Sequence, residues 1–133
     1  MRSMVMIALA MLAFGVQAQE EESTPCDNVE TEQQNYDCAL YNKNTAEREL
    51  DTAYADLLDR VKDQYAGKNA QINEVTARIK TAQQLWSKLR DADCAVETFQ
   101  NDKGSKDFDI ALNTCLAQRS DDRSEYLQTL GSE

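Results

Sequence analysis

Residues 50–65, LDTAYADLLDRVKDQY, place Leu50, Tyr54, Leu57, Leu58, Val61 and Tyr65 at steps of four, three, one, three and four. Charged residues fill the gaps between them. Apolar residues recurring at that interval share one face of an α-helix, and a strand would instead alternate every second residue. Tyr36, Ala39 and Leu40 extend the stripe toward the N-terminus, with a weak patch at Asn42 to Thr45 where a bend or fresh start is expected. Gly67 supplies a C-terminal stop, and Asn69 is the expected N-cap of a second helix.

In that second segment Ile72, Val75, Ile79, Ala82, Trp86 and Leu89 advance by threes and fours, a narrow seam suited to packing along a neighbouring helix. Beyond the polar stretch 97–106, Asp107 is the expected cap of a third helix. Its apolar face reads Phe108, Ala111, Leu112, Cys115, Leu116, Tyr126, Leu127 and Leu130, with Arg119 and Arg123 set into it. The only proline is Pro25, and three of the four glycines fall at expected breaks (Gly67, Gly104, Gly131), so nothing interrupts the helices. No segment alternates as a strand would. The fold expected is all-α: an antiparallel three-helix bundle or hairpin with long first and second helices. Replacing Leu50 or Leu89 by aspartate is expected to unfold it, because each change would bury an unpaired charge.

Residues 1–18 read as a cleavable signal peptide. Arg2 is followed by the apolar run Met4 to Phe14, and Val16-Gln17-Ala18 places small residues before a cut at Gln19. A membrane-spanning helix needs roughly 20 apolar residues, so no span is expected after cleavage. No cysteine stands at the cut to carry a lipid. Residues 19–25 form a polar lead-in and 26–131 the helical domain. The expected location is the periplasm or the exterior of the cell.

The formal charge is −10, and loss of Arg2 with the signal makes it −11. An acidic surface disfavours nucleic acid, whose phosphates require lysine and arginine, and attracts cationic partners in a salt-sensitive way. With no histidine, the usual base near neutral pH is missing. No metal, cofactor or catalytic residue is expected. Cys26, Cys38, Cys94 and Cys115 read as two disulfides in an exported chain. Local pairs, Cys26–Cys38 and Cys94–Cys115, would pin the lead-in and the loop between helices two and three. The alternative, Cys38–Cys94 with Cys26–Cys115, also suits a hairpin turning at Gly67, where Cys38 and Cys94 stand at similar height. The local pairs are preferred. For Arg90, Arg119 and Arg123, the expected carboxylate partners are Glu49, Asp51 and Asp91.

Three blocks carry a family resemblance. They are Glu49-Leu50-Asp51-x-x-Tyr54; then Ala82-Gln83-x-x-Trp86-x-x-x-Arg90-Asp91-Ala92-x-Cys94; and Cys115-Leu116 followed by Arg119, Arg123 and Leu127. With Cys38 ahead of them, these resemble the lysozyme-inhibitor LprI-like domain of bacterial envelope proteins, over roughly Cys26 to Leu130. The second block is the specific one. The resemblance implies an envelope protein-binding domain, with a cationic lysozyme as the target suggested by the family's name. It does not identify a binding site, since the shared residues read chiefly as core and bridge positions. The lipobox cysteine of the family's lipoprotein member is missing here. The candidate contact element is the loop after Cys94, with Phe99 and the tip Gly104-Ser105. The competing reading is a non-catalytic structural or accessory module of the envelope with no lysozyme target. The sequence leaves the oligomeric state open.

Overall fold

The structure, a computed structural model, describes residues 22–131. The expected signal peptide (1–18) and the expected cut at Gln19 lie outside the described residues. Three helices follow in order: α1 (Glu32–Gln64), α2 (Asn69–Glu97) and α3 (Lys106–Thr129). Among the described residues there is no strand.

Helix α1 begins with a capping box. The Thr31 hydroxyl accepts from Gln34 N at 3.2 Å, and Gln34 Oε1 accepts from Thr31 N at 2.9 Å. Two otherwise orphaned amides are thereby satisfied. The helix then runs 33 residues without the break expected at Asn42 to Thr45, a length of about 50 Å. It ends at Tyr65, two residues before Gly67, whose φ of +79° turns the chain into α2. Lys68, not Asn69, is the N-cap residue of α2 and makes no side-chain capping bond. Ser105, not Asp107, caps α3, accepting from Phe108 N at 3.1 Å. Asp107 sits inside the first turn, where its charge complements the helix dipole.

Consecutive helices are antiparallel, so α1 and α3 run in the same direction and share the most extensive interface. Its α1 side is Ala39, Ala46, Leu50, Ala53, Leu57 and Val61, all at most 5% exposed. The α3 side is Ala117, Ser120, Ser124 and Leu127. Alanine and serine at the contact let two backbones approach closely, and Leu50, Leu57, Val61 and Leu127 join Ala53 in one buried cluster. Ser124 Oγ donates to Ser120 O at 3.0 Å, which permits a hydroxyl at so dry a position. At the far end, Arg60 Nη2 donates to the carbonyls of Leu127 (2.7 Å) and Leu130 (3.3 Å) and so closes the C-terminus of α3.

Helix α2 is attached differently. Cys94 is its one buried residue. Val75, Ile79 and Trp86 pack partly buried against the core, but Ala82 and Leu89 of the expected seam face solvent, Leu89 at 59%. The expected unfolding by aspartate therefore applies to Leu50 and not to Leu89. Tyr126, expected on the α3 core face, is 51% exposed. The local disulfides hold: Cys26–Cys38, with Cα atoms 4.7 Å apart, ties the lead-in to α1, and Cys94–Cys115, at 5.7 Å, ties α2 to α3. Each closes a short loop in the unfolded chain and contributes about 3 kcal/mol in a chain-entropy account.

Ala53→Leu, which overfills the α1–α3 contact, is expected to cost about 1–3 kcal/mol. Leu89→Asp should leave stability within about 0.5 kcal/mol. Denaturant melts of the oxidised protein check both, and a large loss from Leu89→Asp with none from Ala53→Leu would contradict this packing.

Candidate functional site

Gln83, Trp86 and Arg90 of the specific block meet Glu47 of α1 and Arg123 of α3 where the three helices adjoin. Trp86 is the centre of this cluster. The guanidinium carbons of Arg90 and Arg123 lie 5.3 and 5.6 Å from its ring centroid, and Arg123 is also 5.1 Å from the ring of Tyr126. These are cation–π distances. Arg123 Nε donates to Gln83 Oε1 at 3.0 Å. Arg90 bonds its neighbour Asp91 at 2.8 Å and reaches Glu47 of α1 at 3.5 Å. Burial pushes the Arg123 pKa down, and Tyr126 partly offsets this.

This arrangement is a fastener. It uses stacked planar cations and an amide to join helices whose apolar contact is thin, and it occupies the Trp86 ring with the molecule's own arginines. The remaining residues of the resemblance are spread over the fold. Leu50 is core, Tyr54 packs against the core, and Glu49 lines a trough between α1 and α3. The expected partners of the arginines are only partly right. Asp91 does pair with Arg90, but the cross-helix carboxylate is Glu47, and Arg119 pairs with Glu97 at 2.5 Å. That contact pushes the Arg119 pKa up, chiefly through its hydrogen bond to Glu97 and then through the charge. Arg123 is held by an amide and two rings, because Glu49 and Asp51 lie on α1 and the groups meeting it come from α2 and α3.

The loop after Cys94 is fixed at both ends. Thr98, 2% exposed, donates to Cys94 O at 2.7 Å. Ser105 donates to Asp102 O at 2.7 Å while capping α3. Its hydroxyl is thus engaged in holding the loop. Gly104 turns the chain at φ +88° with open space around it. Between these anchors Phe99 stands 84% exposed, next to Val96 at 75%.

The sequence reading missed a trough of about 480 Å³ between α1 and α3, lined by Glu49, Asp56, Asp121 and Glu125 with Arg48. Desolvation pushes the Asp121 pKa up, and the charges of Glu49, Asp122 and Glu125 add to this. These acids come from two helices at separations no local spacing reveals. Among the described residues no group of three or more His, Cys, Asp or Glu could hold a metal ion, and no helix is long and apolar enough to cross a membrane.

A family model described as "Lysozyme inhibitor LprI" matches residues 26–127. The chain belongs to the lysozyme inhibitor LprI family. The fold is similar to the crystal structure, at 1.85 Å resolution, of a DUF1311 family protein from Pseudomonas putida KT2440. The two are 50% identical, with a TM-score of 0.71 over 80% of this chain and 99% of that one. No curated protein gives a significant match. For this LprI-family chain, the paired disulfides and the absence of free cysteines suit an oxidising, extracytoplasmic compartment.

A carboxyl whose pKa is raised in the folded state destabilises the fold above that pKa, and the penalty fades as pH falls through it. Asp121→Asn is therefore expected to raise Tm at pH 7, with the gain shrinking below the carboxylate range. Thermal melts at pH 7 and pH 3 test this. A loss of Tm at pH 7 would show that the charge is instead favourably paired.

Proposed function

We propose that this chain is an exported, non-catalytic binding domain whose target is a cationic lysozyme, inhibited by protein–protein contact. The family match over residues 26–127 carries the reading. The acid excess supports it, because long-range attraction speeds encounter with a basic protein and suppresses acidic competitors. Bridged cysteines and the absence of histidine remove the usual nucleophile and base, which favours binding over catalysis. The contact element proposed is the loop 98–105, with Phe99 as its anchor. An exposed aromatic on a loop pinned at both ends loses little freedom on binding. The mature chain is proposed to begin at Gln19 and to act in the periplasm or outside the cell.

The test is a cell-wall lysis assay with a basic lysozyme titrated by the mature oxidised chain. Inhibition is expected at nanomolar to micromolar concentration, weakening at least about tenfold as salt rises from about 50 to about 300 mM. Phe99→Ala should weaken it by about tenfold or more. Lysozyme activity unchanged by excess protein would overturn the proposal in favour of a structural or accessory envelope role.

A further inference from the structure

Helix α2 carries a second apolar line on the side away from α1 and α3. Ala82, Leu85, Leu89, Ala92 and Val96 succeed one another at steps of three, four, three and four, and all five are exposed, Leu85 at 61%, Leu89 at 59% and Val96 at 75%. That spacing is the seam of a two-helix coiled coil. The inner side of α2 is fixed independently: Cys94, fully buried and bonded to Cys115, occupies the heptad position opposite the seam. The outer line is therefore a continuous face about 22 Å long with no partner among the described residues.

We propose that this face is a self-association surface on which a second copy of the chain packs its own α2 in parallel. Charge selects the occupant. In α1 eight acids stand against four bases, and in α3 five against three. In α2, Arg78, Lys80, Lys88 and Arg90 balance Glu74, Asp91, Asp93 and Glu97. Two copies of an acidic protein repel over most of their surface, and α2 is the helix that brings them together without net charge opposing net charge. The positions flanking the seam add direction. Lys88 precedes Leu89 and Asp93 follows Ala92, a separation of five residues, which in a parallel pair sets each Lys88 beside Asp93 of the other copy. An antiparallel pair centred on Leu89 would set Lys88 against Lys88. Alanine at 82 and 92 lets the helices approach closely. The face is short, so the dimer belongs with weak, transient interfaces below about 1,200 Å².

The experiment is sedimentation equilibrium of the mature oxidised chain from about 10 µM to about 1 mM. The weight-average mass is expected to rise toward that of two chains. Leu85→Glu/Leu89→Glu should stay monomeric throughout with an unchanged circular-dichroism spectrum, as both side chains are exposed. Lys88→Asp should weaken association at least about threefold, and Lys88→Asp/Asp93→Lys should restore it. A wild-type chain still monomeric at the highest concentration overturns the proposal, as does a Leu85→Glu/Leu89→Glu variant that associates equally. Failure of the double charge exchange to restore association overturns the parallel arrangement. Leu85 and Leu89 lie two turns or more before Phe99, and the readout uses no lysozyme, so this result and the inhibition assay stand or fall separately.

Discussion

Everything in this molecule is arranged around the close contact of α1 and α3. Ala39, Ala46 and Ala53 on one side and Ala117, Ser120 and Ser124 on the other bring two parallel helices together along the C-terminal half of α3. Close approach maximises dispersion contacts between backbones, and larger side chains there would force the helices apart. The serines carry polar atoms into this contact. Ser124 satisfies its hydroxyl on the preceding turn, whereas Ser120 Oγ has no protein partner. Arg60 locks the end of the pair by reaching from α1 to the last carbonyls of α3.

Helix α2 is a consequence of that geometry. Once α1 and α3 have spent their small and large apolar residues on each other, little flat apolar surface remains for a third helix. The chain holds α2 by other means: a disulfide at Cys94, a tryptophan flanked by Arg90 and Arg123, and ion pairs from Arg90 to Glu47 and from Arg119 to Glu97. The block from Gln83 to Cys94 is thus chiefly the attachment of α2. It leaves one side of that helix apolar and open, and the loop that follows it held at both ends with Phe99 exposed.

Much of the fold was legible because helical periodicity is a strong signal where leucine and tyrosine mark it, as from Leu50 to Tyr65. Local disulfide pairing was favoured by the position of Cys94 and Cys115 around one loop. Other features escaped for physical reasons. Serine scores as polar, so the expected apolar face of α3 left out Ser120 and Ser124, although both are buried and Ser124 satisfies its hydroxyl on the preceding turn. On α2 two apolar lines share one helix, and the seam from Ile72 to Leu89 merges them; only the orientation fixed by Cys94 separates Trp86, turned inward, from Leu85 and Leu89, turned outward. The arginine partners escaped because contacts such as Arg123 with Gln83 join residues 40 apart. Of the proposed contact loop, the exposed Phe99 was legible, whereas the capping role of Ser105 required the start of α3 to be placed two residues earlier.

The most direct test of this hierarchy is native-state amide hydrogen exchange on the oxidised chain 19–133 at low micromolar concentration. The amides of α1 from Ala46 to Val61 and of α3 from Ala117 to Leu127 should share the highest protection and open together, as one cooperative unit. Those of α2 from Ile72 to Leu85 should exchange through a smaller opening that leaves α1 and α3 intact. Equal protection of all three helices, or opening of α3 before α2, would contradict an architecture founded on the α1–α3 contact.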